Sequence, residues 1–156
     1  MGKTPVTAAI RALRRAGIDA GTHPYRYDGG GARGAAEALG IPERNVVKTL
    51  VFLADAEPVL VLMHGDHEVS TRALGRALGA KRVEPAPVDV AERVTGYRVG
   101  GISPFGTRRD LTVVCQATVL DLELVHVNGG RRGLLVSIAP TTFLDLLHPV
   151  VADVAT

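Results

Sequence analysis

An α+β domain built on a mixed β-sheet is the fold this sequence predicts, and three observations predict it. Apolar runs of strand length recur and are joined mostly by short turns. Four or so amphipathic segments, with caps or glycine stops, stand at the periphery. The 156 residues contain no repeat, linker or low-complexity stretch, so a single domain over residues 1–156 is expected. A chain of that length buries roughly two thirds of its unfolded surface.

In chain order, Thr4 reads as an N-cap with Pro5 at the first helical position, and Gly17 stands where a left-handed residue ends a helix, which gives a first helix over 5–16. Residues 22–27 form a short extended segment, 28–31 a mobile glycine loop, and 32–39 a short helix stopped by Gly40. The runs VVKTLVFLA and PVLVLMH, turned at 55–58, read as a buried antiparallel hairpin. A second amphipathic helix covers 70–78, a short strand 81–84, and a helical turn 87–93. Further strands are expected over 111–115, 122–127 and 132–138, with Asn128-Gly129-Gly130 as a hairpin turn between the last two. A final helix covers 141–147 and closes before Pro149.

Composition excludes several classes. Hydrophobic content is 46% with 22% charged residues, and no apolar run approaches the length of about 20 that a membrane helix needs. The N-terminal segment carries arginines inside an amphipathic pattern and has no apolar core of a secretory signal, so a cytoplasmic location is expected. A net charge of +2 permits a nucleic-acid partner without demanding one. Cys115, the single cysteine, lies in an apolar strand pattern and reads as a small packed hydrophobe.

Chemistry concentrates in residues 95–106, TGYRVGGISPFG. Gly100 and Gly101 carry no Cβ and Pro104 fixes φ, so a tight loop with exposed amides is expected. Such a loop can hold an oxyanion, although a plain Gly/Pro turn would read the same way. Lys48 sits inside VVKTLVFL, where an ammonium is expensive to bury without a partner; a stem snorkelling from an edge is the ordinary alternative. His64, Asp66, His67 and Glu68 in HGDHE have ligand types for zinc, against a structural or substrate-bordering loop. Ser103 lacks a G-x-S-x-G elbow and an assignable base. GGGARG lacks the GK[ST] ending of a phosphate loop.

TGYRVGGISPFG, with VVKTL at 46–50, RALGAKRVE at 76–84 and VNGGRRG at 127–133, resembles the YbaK/EbsC family of aminoacyl-tRNA deacylases, relatives of the editing domain inserted in bacterial prolyl-tRNA synthetases. The resemblance runs from about residue 4 to about residue 152. It implies a strongly curved, partly closed mixed sheet with peripheral helices, and hydrolysis of the ester of a mischarged tRNA, most like the enzyme acting on cysteine attached to proline tRNA. Alanine or another small amino acid is an alternative, and a non-catalytic tRNA- or synthetase-binding module is the rival of another class.

The resemblance also implies roles. Lys48 would hold the terminal adenosine and polarise the ester carbonyl. Amides of Gly100, Gly101 and Ile102, with the Ser103 hydroxyl and the frame locked by Pro104, would face the developing oxyanion. Tyr25, with His23, would form an aromatic, polar wall, and His64 would border the substrate. Asn128, Gly129 and Arg131 would make a rim, and His126 reads as a satisfied strand side chain. The tRNA acceptor end is the implied partner, with prolyl-tRNA synthetase as a further one; no metal or cofactor is implied. Against the family pattern, the segment 28–39 is short and Gln116 stands where many relatives carry Asp.

Overall fold

The computed structural model describes residues 5–156. Its five helices are α1 (Ala8–Arg15), α2 (Gly31–Leu39), α3 (Thr71–Leu78), α4 (Val88–Thr95) and α5 (Thr141–Leu147). Its strands are β1 (Gly21–Pro24), β2 (Val46–Ala54), β3 (Glu57–His64), β4 (Val83–Pro85), β5 (Thr112–Gln116), β6 (Val125–Arg131), β7 (Leu134–Ile138) and β8 (Val150–Ala152). All eight join one sheet in the order β1-β7-β6-β2-β3-β5-β8, with β4 on β2. The sheet is mixed: β2–β3, β2–β4, β6–β7 and β1–β7 are antiparallel, whereas β2–β6, β3–β5 and β5–β8 are parallel.

Helices cover both faces, which explains the unbroken apolar run of β3. Leu60 and Leu62 face one cluster, shared with Ile10 and Leu13 of α1, Val94 of α4 and Phe143 of α5. Val59, Val61 and Met63 face the other, shared with Leu74 of α3. A strand buried on both sides loses its polar alternation. Beneath α2, Ala35 and Ala36 pack on Val46 and Leu135. Cys115 is fully buried, and burial pushes its thiol up to about 12, as befits a packed hydrophobe.

Several elements depart from the sequence expectation. Thr4 lies outside the described residues; α1 begins at Ala8, where Thr7 is the N-cap and its hydroxyl accepts from the Ile10 amide. The Asn128-Gly129-Gly130 run is not the hairpin turn. It lies inside β6 as an irregularity, because Asn128 Oδ1 accepts from the amides of Gly130 (2.7 Å) and Arg131 (3.1 Å) and shifts the register there. Arg132-Gly133 makes the turn, with Gly133 at φ +80 and Arg131 paired to Leu134. The single turn expected at 87–93 is a helix of eight residues, and β8 was not foreseen. Gln116 explains how the C-terminal segment is held: its Oε1 accepts from the Val154 and Ala155 amides, and its Nε2 donates to Thr118 and Asp153.

Candidate active site

The site forms where β2 lacks a second neighbour. β3 pairs with β2 from Val47 to Ala54, but on the opposite edge β6 meets only Val46 and Val47, and β4 only Phe52 to Ala54. Between them Lys48, Thr49 and Leu50 have no strand partner on that edge among the described residues, while Val51 O accepts from the Ala86 amide. A cavity of about 340 Å³ lies against this open edge. Six consecutive residues of β2, Val46 to Val51, line it, joined by Tyr25, Tyr27, the start of α2, Ala86, Val88, Ala91, Val99, Gly100, Ile102, Asn128 and Leu135. Its size is at the small end of the range for ligand sites, about 300–1,000 Å³.

Lys48 enters this wall half-buried, and its Nζ donates to the His67 carbonyl at 2.6 Å. That carbonyl offsets part of the cost of burying the ammonium, and an ammonium has three donors, so capacity remains for a ligand. The HGDHE segment thereby acts on the site through a main-chain oxygen. Thr49 adds a hydroxyl that is buried without a hydrogen-bond partner among the described residues.

The glycine loop is anchored from several sides. Gly100, at φ +92, gives its carbonyl to Asn128 Nδ2 at 3.0 Å. Arg132 Nε donates to Val99 O at 2.9 Å while its guanidinium lies 5.4 Å from the Tyr27 ring centroid. Tyr97 OH donates to Phe105 O, and burial pushes that phenol up to about 12. Tyr25 also stays protonated: burial, and then Tyr27 beside it, raise its pKa.

Of the residues expected at the site, Lys48, Tyr25, Gly100, Ile102 and Asn128 line the cavity together. The others do not. The Gly101 amide donates to Arg98 O at 2.8 Å, which corrects the expectation that it faces an oxyanion. Ser103 is fully buried, and its Oγ accepts from the Phe105 amide at 3.2 Å, so its hydroxyl shapes the loop from within. Pro104 and Gly129 are buried, and Arg131 faces a neighbouring cleft. Tyr27, Thr49, Val99 and the α4 residues were missed; Thr49 stands beside Lys48 in VVKTL and Tyr27 two positions after Tyr25, which was signal enough to test both.

His64 is 1% exposed and away from the cavity. Its Nδ1–H donates to Arg44 O at 2.9 Å and Nε2 accepts from the Thr118 hydroxyl at 2.8 Å, so a substrate-bordering role is replaced by a structural one. His67 pairs with Asp66 at 2.7 Å. His126 corrects the expectation of a satisfied side chain: it is buried, and its Nδ1 has no partner among the described residues. The ring of His23 lies 5.1 Å away and bonds Ser137 Oγ at 2.8 Å; none of these three residues lines the cavity.

These histidines set an acid limit on stability. Burial lowers the pKa of both His64 and His126, with His23 as the second cause for His126. In the unfolded chain each titrates near the ordinary value of about 6.5, so below it the unfolded state binds more protons and folding weakens as pH falls through the folded values. We expect the urea midpoint to hold from about pH 8 to 7, fall below about 6.5, and fall less steeply in His126→Phe. A midpoint unchanged down to about pH 5 would contradict this assignment.

The model of the aminoacyl-tRNA editing domain matches residues 30–146, most of the chain. The chain belongs to this YbaK/EbsC-type editing-domain family. A candidate Cys-tRNA(Pro)/Cys-tRNA(Cys) deacylase, EbsC of Enterococcus faecalis, is 31% identical over 126 residues, covering 80% of this chain and 77% of that protein. The proline–tRNA ligase of Geotalea daltonii is 39% identical over 128 residues, 76% of this chain but 22% of that enzyme. The chain therefore spans about a fifth of the ligases it matches. Among solved structures, a candidate trans-editing enzyme for prolyl-tRNA synthetase superposes with a TM-score of 0.87 at 25% identity, covering 98% of this chain and 99% of that one. The hypothetical protein APE2540 superposes with a TM-score of 0.88 at 25% identity. The editing-domain match accounts for α2 through α5; α1, β1, Tyr25 and Tyr27 lie before residue 30.

Proposed function

We propose that this chain is a trans-editing deacylase domain that hydrolyses the ester of a mischarged aminoacyl-tRNA, with Cys-tRNA(Pro) as substrate. The observation that carries the reading is the meeting of Lys48, Gly100 and Ile102 on one cavity beside the open edge of β2. The names of the relatives in Enterococcus faecalis and among the solved structures support the substrate and an association with prolyl-tRNA synthetase. The reading takes the sheet to curve strongly around the cavity, as in the family, and places the protein in the cytoplasm. Among the described residues no helix is long and apolar enough to cross a membrane.

An aminoacyl ester is already activated, so orientation and charge stabilisation suffice. The acyl group enters the cavity with its carbonyl oxygen toward Lys48 Nζ and the amides of Gly100 and Ile102, which have no hydrogen-bond partner among the described residues. These donors are fixed before attack and meet the negative charge as it develops. Water attacks the carbonyl carbon; the tetrahedral intermediate collapses, the C–O ester bond breaks, and the proton given up by water returns to the ribose oxygen, leaving free amino acid. Where the substrate thiol attacks instead, its proton goes to the same ribose oxygen and the cyclic thioester left behind is opened by water. Enclosure of Ser103 favours this route over an acyl-serine.

The test is release of amino acid from one tRNA charged in turn with cysteine, alanine, serine and proline. Cysteine is expected to leave fastest. Equal rates for alanine and serine would make the protein a general editor of small residues, and no release from any ester would leave a binding module.

A further inference from the structure

Gly100 lines the cavity, and its neighbour Gly101 lines a second cleft, of about 580 Å³. Arg98, Arg131 and Arg132 stand in the walls of that cleft, and no Asp or Glu does among the described residues. The Arg108 side chain lies over Gly96, another of its lining residues. None of these four arginines has a carboxylate partner among the described residues. Arg132 connects the two spaces, since its guanidinium sits over the ring of Tyr27, which lines the cavity.

We propose that this cleft takes the phosphodiester backbone of a single-stranded RNA 3′ end, whose terminal residue passes over Gly100 into the cavity. The proposal rests on the deacylase reading for what the terminal residue carries, but the cleft's own chemistry points to phosphate. Planar guanidinium groups match phosphate oxygens with paired donors, and a cleft with three arginines and no carboxylate among its described lining residues suits a polyanion. Two segments border both spaces, the glycine loop and β6, whose Asn128 lines the cavity and whose Gly130 and Arg131 line the cleft. Gly101 is packed on the backbone of Arg131 and Arg132, so the hairpin that holds the RNA also positions the amides beside the ester. A second basic cleft, with Arg72, Arg76, Lys81 and Arg82, lies between α3 and β4, neither of which lines the cavity. It serves as the internal comparison.

The experiment is fluorescence anisotropy of a 5′-labelled single-stranded RNA ending in CCA, with alanine joined to its 3′ end by an amide that cannot hydrolyse. Binding is measured between about 50 and 200 mM salt. Three neutralised phosphates give a log–log slope of about 2, at about 0.7 per phosphate of a single strand. Arg98→Ala and Arg131→Ala should each weaken binding several-fold and lower the slope by about 0.7, and the double variant should lose both increments. On charged tRNA the same variants should raise KM more than they lower kcat. Arg72→Ala with Arg76→Ala should leave the anisotropy titration as in the wild type. An unchanged slope in the Arg98→Ala, Arg131→Ala double variant overturns the proposal, as does a loss that follows Arg72 and Arg76 instead. An acidic peptide that binds through these arginines where the RNA does not would also overturn it, giving the cleft to a protein. RNA binding with the expected slope but no ester cleavage by the wild type would support the cleft while ending the deacylase reading.

Discussion

Replacing Lys48 by methionine should lower kcat for ester hydrolysis about 100- to 1,000-fold, the usual loss when one preorganised donor to an oxyanion is removed. Methionine keeps an unbranched stem against the cavity wall and removes only the charge, so the variant should fold with a thermal midpoint near that of the wild type. The hydrogen bond it forfeits among the described residues is Nζ to His67 O at 2.6 Å, which leaves a carbonyl in a loop beside the exposed Asp66 and Glu68, where water can replace the ammonium. Because the donor acts on charge that develops during attack, kcat should fall more than KM changes. Lys48→Ala should show the same loss in kcat. Wild-type turnover in folded Lys48→Met would remove the lysine from the chemistry; a rise in KM at constant kcat would assign it to grip on the terminal nucleotide instead.

What the sequence could reveal about this site follows from what is local. VVKTLVFL carries Lys48 on an apolar strand, and no long-range information is needed to see that such a charge must have a partner. The partner itself, a carbonyl at His67, depends on how β3 ends and turns, which no residue type announces. Gly100, Gly101 and Pro104 mark a shaped loop, yet three small residues within four positions, Gly100, Gly101 and Ser103, take three different fates. Gly100 faces the cavity, Gly101 spends its amide on Arg98 O, and Ser103 is sealed inside. The open edge of β2 was beyond reach, because it results from two short pairings, with β6 and β4, that stop before they meet. Asn128-Gly129-Gly130 misled for a physical reason: an Asn side chain that bonds amides two and three residues ahead makes a turn-like kink whether or not the strand reverses. The reversal falls instead on Arg132-Gly133.

Gly101→Ala should damage stability and turnover together. Gly101 is buried, and a Cβ built on it would stand 2.8 Å from Arg132 N, 2.9 Å from Arg131 C and 3.1 Å from Arg131 Cα. All three are backbone atoms of the β6–β7 hairpin, so no rotamer change relieves the contact and the two segments must separate. Forcing a methyl into a closed contact of this kind costs about 1–3 kcal/mol, or several degrees of thermal midpoint. Separation also strains the ties that cross the same seam, Asn128 Nδ2 to Gly100 O and Arg132 Nε to Val99 O, so Gly100 and Ile102 lose their fixed position at the cavity. Displacement of those amides should bring a loss of about 100-fold or more in kcat. The RNA anisotropy titration should weaken as well, since Arg131 and Arg132 move with the hairpin. Gly100→Ala is the comparison: the nearest atoms its added Cβ meets belong to side chains, the end of Tyr27 and Arg132 Nε at 3.2 Å, which can shift together at some cost to the Arg132 tie to Val99 O, while the left-handed backbone at φ +92 costs about 1–2 kcal/mol. Equal damage from the two would place the loop's strain in its φ angles. Gly101→Ala with wild-type midpoint and turnover would show that the glycine loop does not rest on the hairpin in solution, and the link between the basic cleft and the cavity would go with it.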